Sequence, residues 1–155
     1  MVLAALCAAL LPGTAGAASG AQVPPFSLKR IQANAGDLSY LPTRLPFGYR
    51  YERWELPTGR LVVTFKHKHS ADRFRFQVER LPRGMECDLQ GSFHRTLQMD
   101  GNKVYYGGEK GEWIAWRCVT SPKTRIRYLL EARSSGPLPD VALARVAASG
   151  KRVAR

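Results

Sequence analysis

The chain has 155 residues, 24 Lys and Arg against 12 Asp and Glu for a formal net charge of +12, and 45% hydrophobic residues. That length holds one domain with a modest core and leaves no room for a second. The charge excess favours salt-sensitive association with polyanions, while the lack of a P-loop, a dinucleotide fingerprint, a Gly-x-Ser-x-Gly elbow or a His-Glu-x-x-His pattern removes the support for those chemistries.

Residues 1–17 read as a secretory signal peptide: an apolar run from Val2 to Leu11, then Pro12, Gly13 and the small tripeptide Ala15-Gly16-Ala17. A run of about ten residues is too short to cross a bilayer core of roughly 30 Å but suits the apolar region of a leader. No Lys or Arg lies between Met1 and the run, so the basic region of such leaders is lacking. Removal of this segment takes Cys7 with it and leaves no transmembrane helix. A lipoprotein signal wants a small residue before its cysteine, and Leu6 precedes Cys7. The remaining Cys87 and Cys118 are expected to pair in an oxidising compartment. Chain-entropy arguments give such a bridge roughly 3.5–4 kcal/mol.

Residues 18–45 mix Ala, Gly, Ser and Pro with scattered charge and show no sustained period, which predicts an extended, flexible lead-in. From residue 46 to 150 the pattern is that of one domain. Strands are predicted over Tyr49 to Leu56, Arg60 to Lys68, a third run with Phe74, Phe76 and Val78 against Arg73, Arg75 and Gln77, and Gly91 to Met99. Asp100-Gly101 is a hairpin signal, since both central residues of a type I′ turn need positive φ. Two further strands carry Val104 and Tyr106, then Ile114, Trp116 and Cys118, the latter three expected on the buried face. The strand Arg125 to Ala132 directs Ile126, Tyr128 and Leu130 to the core.

Pro139 and Asp140 suit a helical first turn, Ala142, Leu143 and Val146 form a stripe, and Gly150 is a stop. A helix of about eleven residues must dock to persist. The fold class is therefore α+β: an antiparallel meander of six to seven strands with one C-terminal helix on its apolar face, followed by a frayed basic tail, residues 151–155.

Among chemistry-bearing residues, His67 and His69 point the same way from one strand, and His94 does not obviously join them, so no metal site is assigned. A nuclease built from Glu52 or Glu79 with His94, and Arg73 or Arg75 on phosphate, rests on residue types alone. No catalytic residue, cofactor or specific nucleic-acid motif is assigned. The cationic side of the sheet is the better candidate. Alternation places Lys66, Lys68, Arg73, Arg75, Arg117, Arg125 and Arg127 opposite the apolar face, with Trp113 and Tyr105 nearby, as an anion-binding surface.

Three stretches carry a resemblance. Leu41-Pro42-Thr43-Arg44-Leu45-Pro46-Phe47-Gly48-Tyr49 resembles the Leu-Pro-x-x-Leu-Pro-x-Gly-Tyr opening of a bacterial family of exported domains of unknown function, found beside anti-sigma-factor and lipoprotein-like regions. Met99 to Tyr106 leading to Trp113–Cys118 is similar to that family's hairpin and aromatic strand, and Pro139 to Ser149 to its closing helix. The resemblance implies an envelope-facing sheet-plus-helix domain with no catalytic residues to transfer. The chain departs from the pattern in Cys87 and Cys118 and in having no sigma-binding segment. These features together lead us to expect a secreted or cell-envelope, non-enzymatic domain that binds an anionic wall polymer, a lipid headgroup or an envelope protein. The alternatives are an accessory module of envelope signalling and a small basic secreted hydrolase such as a ribonuclease.

Overall fold

The computed structural model describes residues 23–88, 94–109 and 111–153, so the expected signal peptide lies outside the described residues. The chain runs α1 (Pro25–Ala35), a 3-10 turn (Gly36–Leu38), β1 (Tyr40–Pro42), β2 (Tyr49–Glu55), β3 (Arg60–His67), β4 (Arg73–Arg80), β5 (His94–Met99), β6 (Asn102–Glu109), β7 (Glu112–Thr120), β8 (Arg127–Ser134), α2 (Asp140–Ser149) and β9 (Gly150–Arg152). It is an α+β fold with a seven-stranded antiparallel sheet in the order β2-β3-β4-β8-β7-β6-β5 and a small β1-β9 pair beside it.

Short alternating runs and turn residues set most of these strands. The β5–β6 turn has Asp100 at φ 52° and Gly101 at φ 75°, the two positive values that a type I′ hairpin requires. Gly48 ends the Leu-Pro-Phe-Gly segment at φ 83°, and the His67 imidazole packs directly where a Cβ would sit. Only glycine fits both conditions, and the turn it makes lets Tyr49 pack its ring on Phe74.

The sheet consists of two meanders, β2-β3-β4 and β5-β6-β7-β8, joined by the β4–β8 pair. Apolar β4 is thereby central, with Phe74, Phe76 and Val78 buried between β3 and β8. Alternating pairing makes β4 and β5 parallel, so their connection must cross back over the sheet. Its described part is fastened on the face opposite α2. Cys87 is bonded to Cys118 with Cα atoms 5.8 Å apart, the Trp116 indole donates to the Cys87 carbonyl at 3.0 Å, and Arg127 donates to the Met85 carbonyl at 3.0 Å.

Three sequence expectations change. Residues 25–42 are folded rather than a flexible lead-in, because Leu28, Ile31, Ala35 and Leu38 fall at i, i+3, i+7 and i+10 and all join the main core. Pro25 opens this helix. Lys151 and Arg152 belong to β9 and pair with Leu41 and Tyr40, so this part of the tail is not frayed. β7 is inverted relative to the expectation: Ala115 and Arg117 face α2, while Ile114, Trp116 and Cys118 lie on the other side with Leu81, Tyr105 and Leu129. That second cluster exists because the disulfide-fastened crossover covers this part of the second face. Of the expected strand Gly91 to Met99, His94–Met99 is β5, and residues 91–93 lie outside the described residues.

The main core is covered from two directions. α2 packs on β6, β7 and β8 through Leu143, Val146 and Ala147, and the α1–β1 segment adds Ile31, Leu38, Tyr40 and Leu41, with β1 and the 3-10 turn against β4. Gly150 permits the close approach at the end of α2, since a Cβ there would meet Leu130 and Phe76. Arg117, 7% exposed, fastens this end: its guanidinium donates to the Ala147 carbonyl at 2.9 Å, the Gly150 carbonyl at 2.5 Å and Asn102 Oδ1 at 2.9 Å. The Ala147 carbonyl also accepts from the Gly150 backbone N–H, so Arg117 adds a second donor there and supplies one to the Gly150 carbonyl at the negative end of the helix. Asp37 fastens the other segment by accepting from the Tyr128 hydroxyl at 2.7 Å and Arg80 at 2.6 Å.

Two predictions follow from these tethers. Arg117→Met keeps the apolar stem but removes the donor from the Gly150 carbonyl and from Asn102 Oδ1, while Ala147 keeps its bond from the Gly150 N–H, and urea denaturation is expected to show a loss of about 2 kcal/mol, set by the acceptors left unpaired. Burial raises the Asp37 carboxyl, but the Tyr128 and Arg80 hydrogen bonds outweigh it and hold the group below its ordinary range. Its contribution is therefore complete above the unfolded carboxylate value of about 4 and is lost as pH falls through the lower folded value. Asp37→Asn should be less stable than the parent at pH 7, with the difference vanishing as denaturation curves are taken down through the acid range.

Candidate anion-binding face

Opposite α2, the half of the sheet formed by β2, β3, β4 and β8 presents a block of cations. Arg50 pairs with Lys66, which pairs with Arg73. In the adjoining row, Arg53 pairs with Thr64, Thr64 with Arg75, and Arg75 with Arg133. Strands are about 4.8 Å apart and the rows two residues, or about 7 Å, apart. Arg50–Lys66, Lys66–Arg73 and Arg75–Arg133 are thus like charges placed directly opposite, an arrangement that destabilises a bare sheet.

A β-bulge builds the second row. The β2–β3 register shifts between Tyr51 and Arg53, with Glu52 as the extra residue. Strict alternation would send Arg53 to the core side with Tyr51; the bulge returns it to the cationic face. Glu52 then lies among the cations and accepts from Arg73 Nε and Nη2 at 2.8 and 2.9 Å. These hydrogen bonds, opposed by burial and aided by the fields of Arg73, Arg53 and Lys66, hold its carboxyl below the usual range.

Other acids compensate part of the block. Arg133 contacts Glu131 at 3.0 Å and Glu112 at 3.1 Å, and Arg60 contacts Glu79 at 3.2 Å. Arg50, Arg53, Lys66 and Arg75 have no ion pair among the described residues. A polar recess of about 220 Å³ adjoins them, with Arg75, Arg133 and Arg60 around Gln77 and Glu131. Thr64, 2% exposed, lies between Arg53 and Arg75 in the row, and its hydroxyl has no hydrogen-bond partner among the described residues.

The cationic surface expected from sequence is therefore divided. Lys66, Arg73 and Arg75 come together, and Lys68 is exposed just beyond the end of β3. Arg117 is excluded, since the inverted phase of β7 buries it under α2. Arg125 occupies the turn before β8 at φ 58°, and Arg127 is engaged by the crossover, six residues or about 20 Å along β8 from Arg133. Trp113 is 41% exposed but lies on the α2 side over Gly108, and Tyr105 is buried against Trp116. Arg50, Arg53 and Arg133 were missed. Arg50 was legible from its alternation with Tyr49 and Tyr51, whereas Arg53 needed the bulge and Arg133 the β4–β8 pairing.

The nuclease constellation does not assemble. Glu52 and Glu79 are bound to Arg73 and Arg60, and β5, which carries His94, lies four strand spacings, about 19 Å, from β4 and six, about 29 Å, from β2. The His94 side chain is outside the described residues. The rings of His67 and His69 are 6.0 Å apart, with His67 also against Tyr49, and no group of three His, Cys, Asp or Glu side chains able to hold a metal occurs among the described residues. No helix of the described residues is long and apolar enough to cross a membrane.

Compared with protein-family models, curated proteins and solved structures, the chain matches none.

Thr64→Val replaces an unpaired buried hydroxyl by a methyl group of the same shape. The substitution is expected to raise stability in urea by about 1 kcal/mol, and an unchanged or lower midpoint would show that the hydroxyl is satisfied in solution.

Proposed function

We propose that this chain is a non-enzymatic, extracytoplasmic binding domain whose β2-β3-β4-β8 face takes an anionic polymer of the cell envelope. The observation that carries the proposal is the set of three like-charge pairs placed directly across neighbouring strands, with Arg50, Arg53, Lys66 and Arg75 in no direct ion pair among the described residues and Glu52, bound to Arg73, as the acid nearest Arg53 and Lys66. A sheet face has no packing reason to concentrate cations in this way, and a polyanion laid across the rows removes the repulsion while releasing its own counterions. The placement outside the cytoplasm is supported by the Cys87–Cys118 bridge and by the leader-like residues 1–17. The resemblance of residues 41–49 to the opening of an exported-domain family is a further reason to place it there.

Binding to purified wall teichoic acid tests this reading, with a control that separates the rows from net charge. Arg53→Glu/Arg75→Glu should weaken binding at least about 30-fold and flatten the salt dependence by roughly two units of slope, whereas Arg125→Glu/Arg145→Glu, carrying the same charge change, should weaken it less than about threefold. Equal losses in both variants would assign the attraction to diffuse charge and remove the site. Binding confined to vesicles of anionic lipid would replace the polymer by a membrane surface.

A further inference from the structure

A second feature lies elsewhere, on the helix-covered side at the end of the sheet. It is an open groove of about 770 Å³ between the C-terminal end of α1, the β1-β9 pair and the turn that follows β7. Val119, Pro122, Val153 and the ring of Tyr40 supply apolar wall, Lys123 and Arg152 supply charge, and no Asp or Glu lines it. Tyr40 is 4% exposed, and its hydroxyl makes no hydrogen bond within the described residues. Burial raises its pKa, against the opposing fields of Arg152 and Arg117, so the hydroxyl remains protonated and free to donate at neutral pH. A hydroxyl that opens onto the groove from an otherwise buried ring, two cations and an uncharged apolar wall therefore face one space.

We infer that this groove is a binding site for an amphiphile with an anionic head and a straight apolar chain, of the fatty-acid class. Lys123 and Arg152 receive the carboxylate, Tyr40 donates to it, and Val119, Pro122 and Val153 line the path of the chain. The volume lies within the range of small-molecule sites, which combine apolar walls with a few placed polar groups. The inference is independent of the cationic rows, which occupy the opposite face.

Calorimetric titration of the full chain with octanoate, 1-octanol and acetate tests it. Octanoate should bind at a single site, 1-octanol at least about tenfold more weakly, and acetate not measurably. Lys123→Glu/Arg152→Glu should lose at least about tenfold and Tyr40→Phe about threefold to tenfold, the range expected for one ordinary hydrogen bond open to solvent. Arg53→Glu/Arg75→Glu should leave octanoate binding unchanged, so failure here and failure of polymer binding are separable. No saturable heat with octanoate, equal affinity for octanoate and 1-octanol, or binding of an acidic peptide in its place would overturn the assignment.

Discussion

A seven-stranded sheet has two faces to remove from water, and this chain covers them with very little. α2 has ten residues and reaches β6, β7 and β8. The remainder of that face is closed by α1, the 3-10 turn and β1, which places Ile31, Leu38, Tyr40 and Leu41 in the same core as Phe76 and Leu130. Among the described residues, the second face is covered where the described part of the β4–β5 crossover lies, over Trp116, Tyr105 and Leu129. The described residues leave the β2-β3-β4 half bare, and its outward positions are accordingly polar and charged. The location of the cationic rows is thus a consequence of how far the available cover extends.

Arg117 shows how the covered face is held. Burying a guanidinium is costly, and among the described residues no carboxylate pairs with this one. Its partners are carbonyls at the end of α2, whose partial negative charge is the next best counterpart. The same junction leads directly into β9, which pairs with β1 and so retains the N-terminal segment. Ser149 adds to it by accepting from the backbone of Thr43 and Arg44 at 3.2 and 3.1 Å. One side chain on β7 therefore connects the helix, the small sheet and the N-terminal cover. The crossover has its counterpart in Cys118, on the same strand and the opposite face.

Strand positions were largely legible because alternation and turn residues are local signals. Arg73 to Val78 read as a half-buried strand and is one; Asp100-Gly101 read as a hairpin and has the required angles. β7 was misread for an equally physical reason. Trp116 and Cys118 are apolar because the crossover covers them, so hydrophobicity there does not mark the helix side, and Arg117 is inward because a helix end needs donors. The helix in residues 25–35 was overlooked because Ala, Ser, Asn and Lys dilute its apolar stripe, although the Leu28-Ile31-Ala35-Leu38 spacing is present.

The sequence by itself determined the class of fold, the bridge partners, β8 and α2, and the excess of positive charge, since each depends on residue identity or on spacing within a few positions. Tertiary structure alone decided which cations share a surface. Arg53 joins Arg75 only through a bulge, Arg133 only through a pairing between strands distant in sequence, and Arg117 leaves because one face of β7 is claimed by α2. Charge composition is a property of the list of residues; a charged site is a property of register, and register is set by long-range pairing and burial.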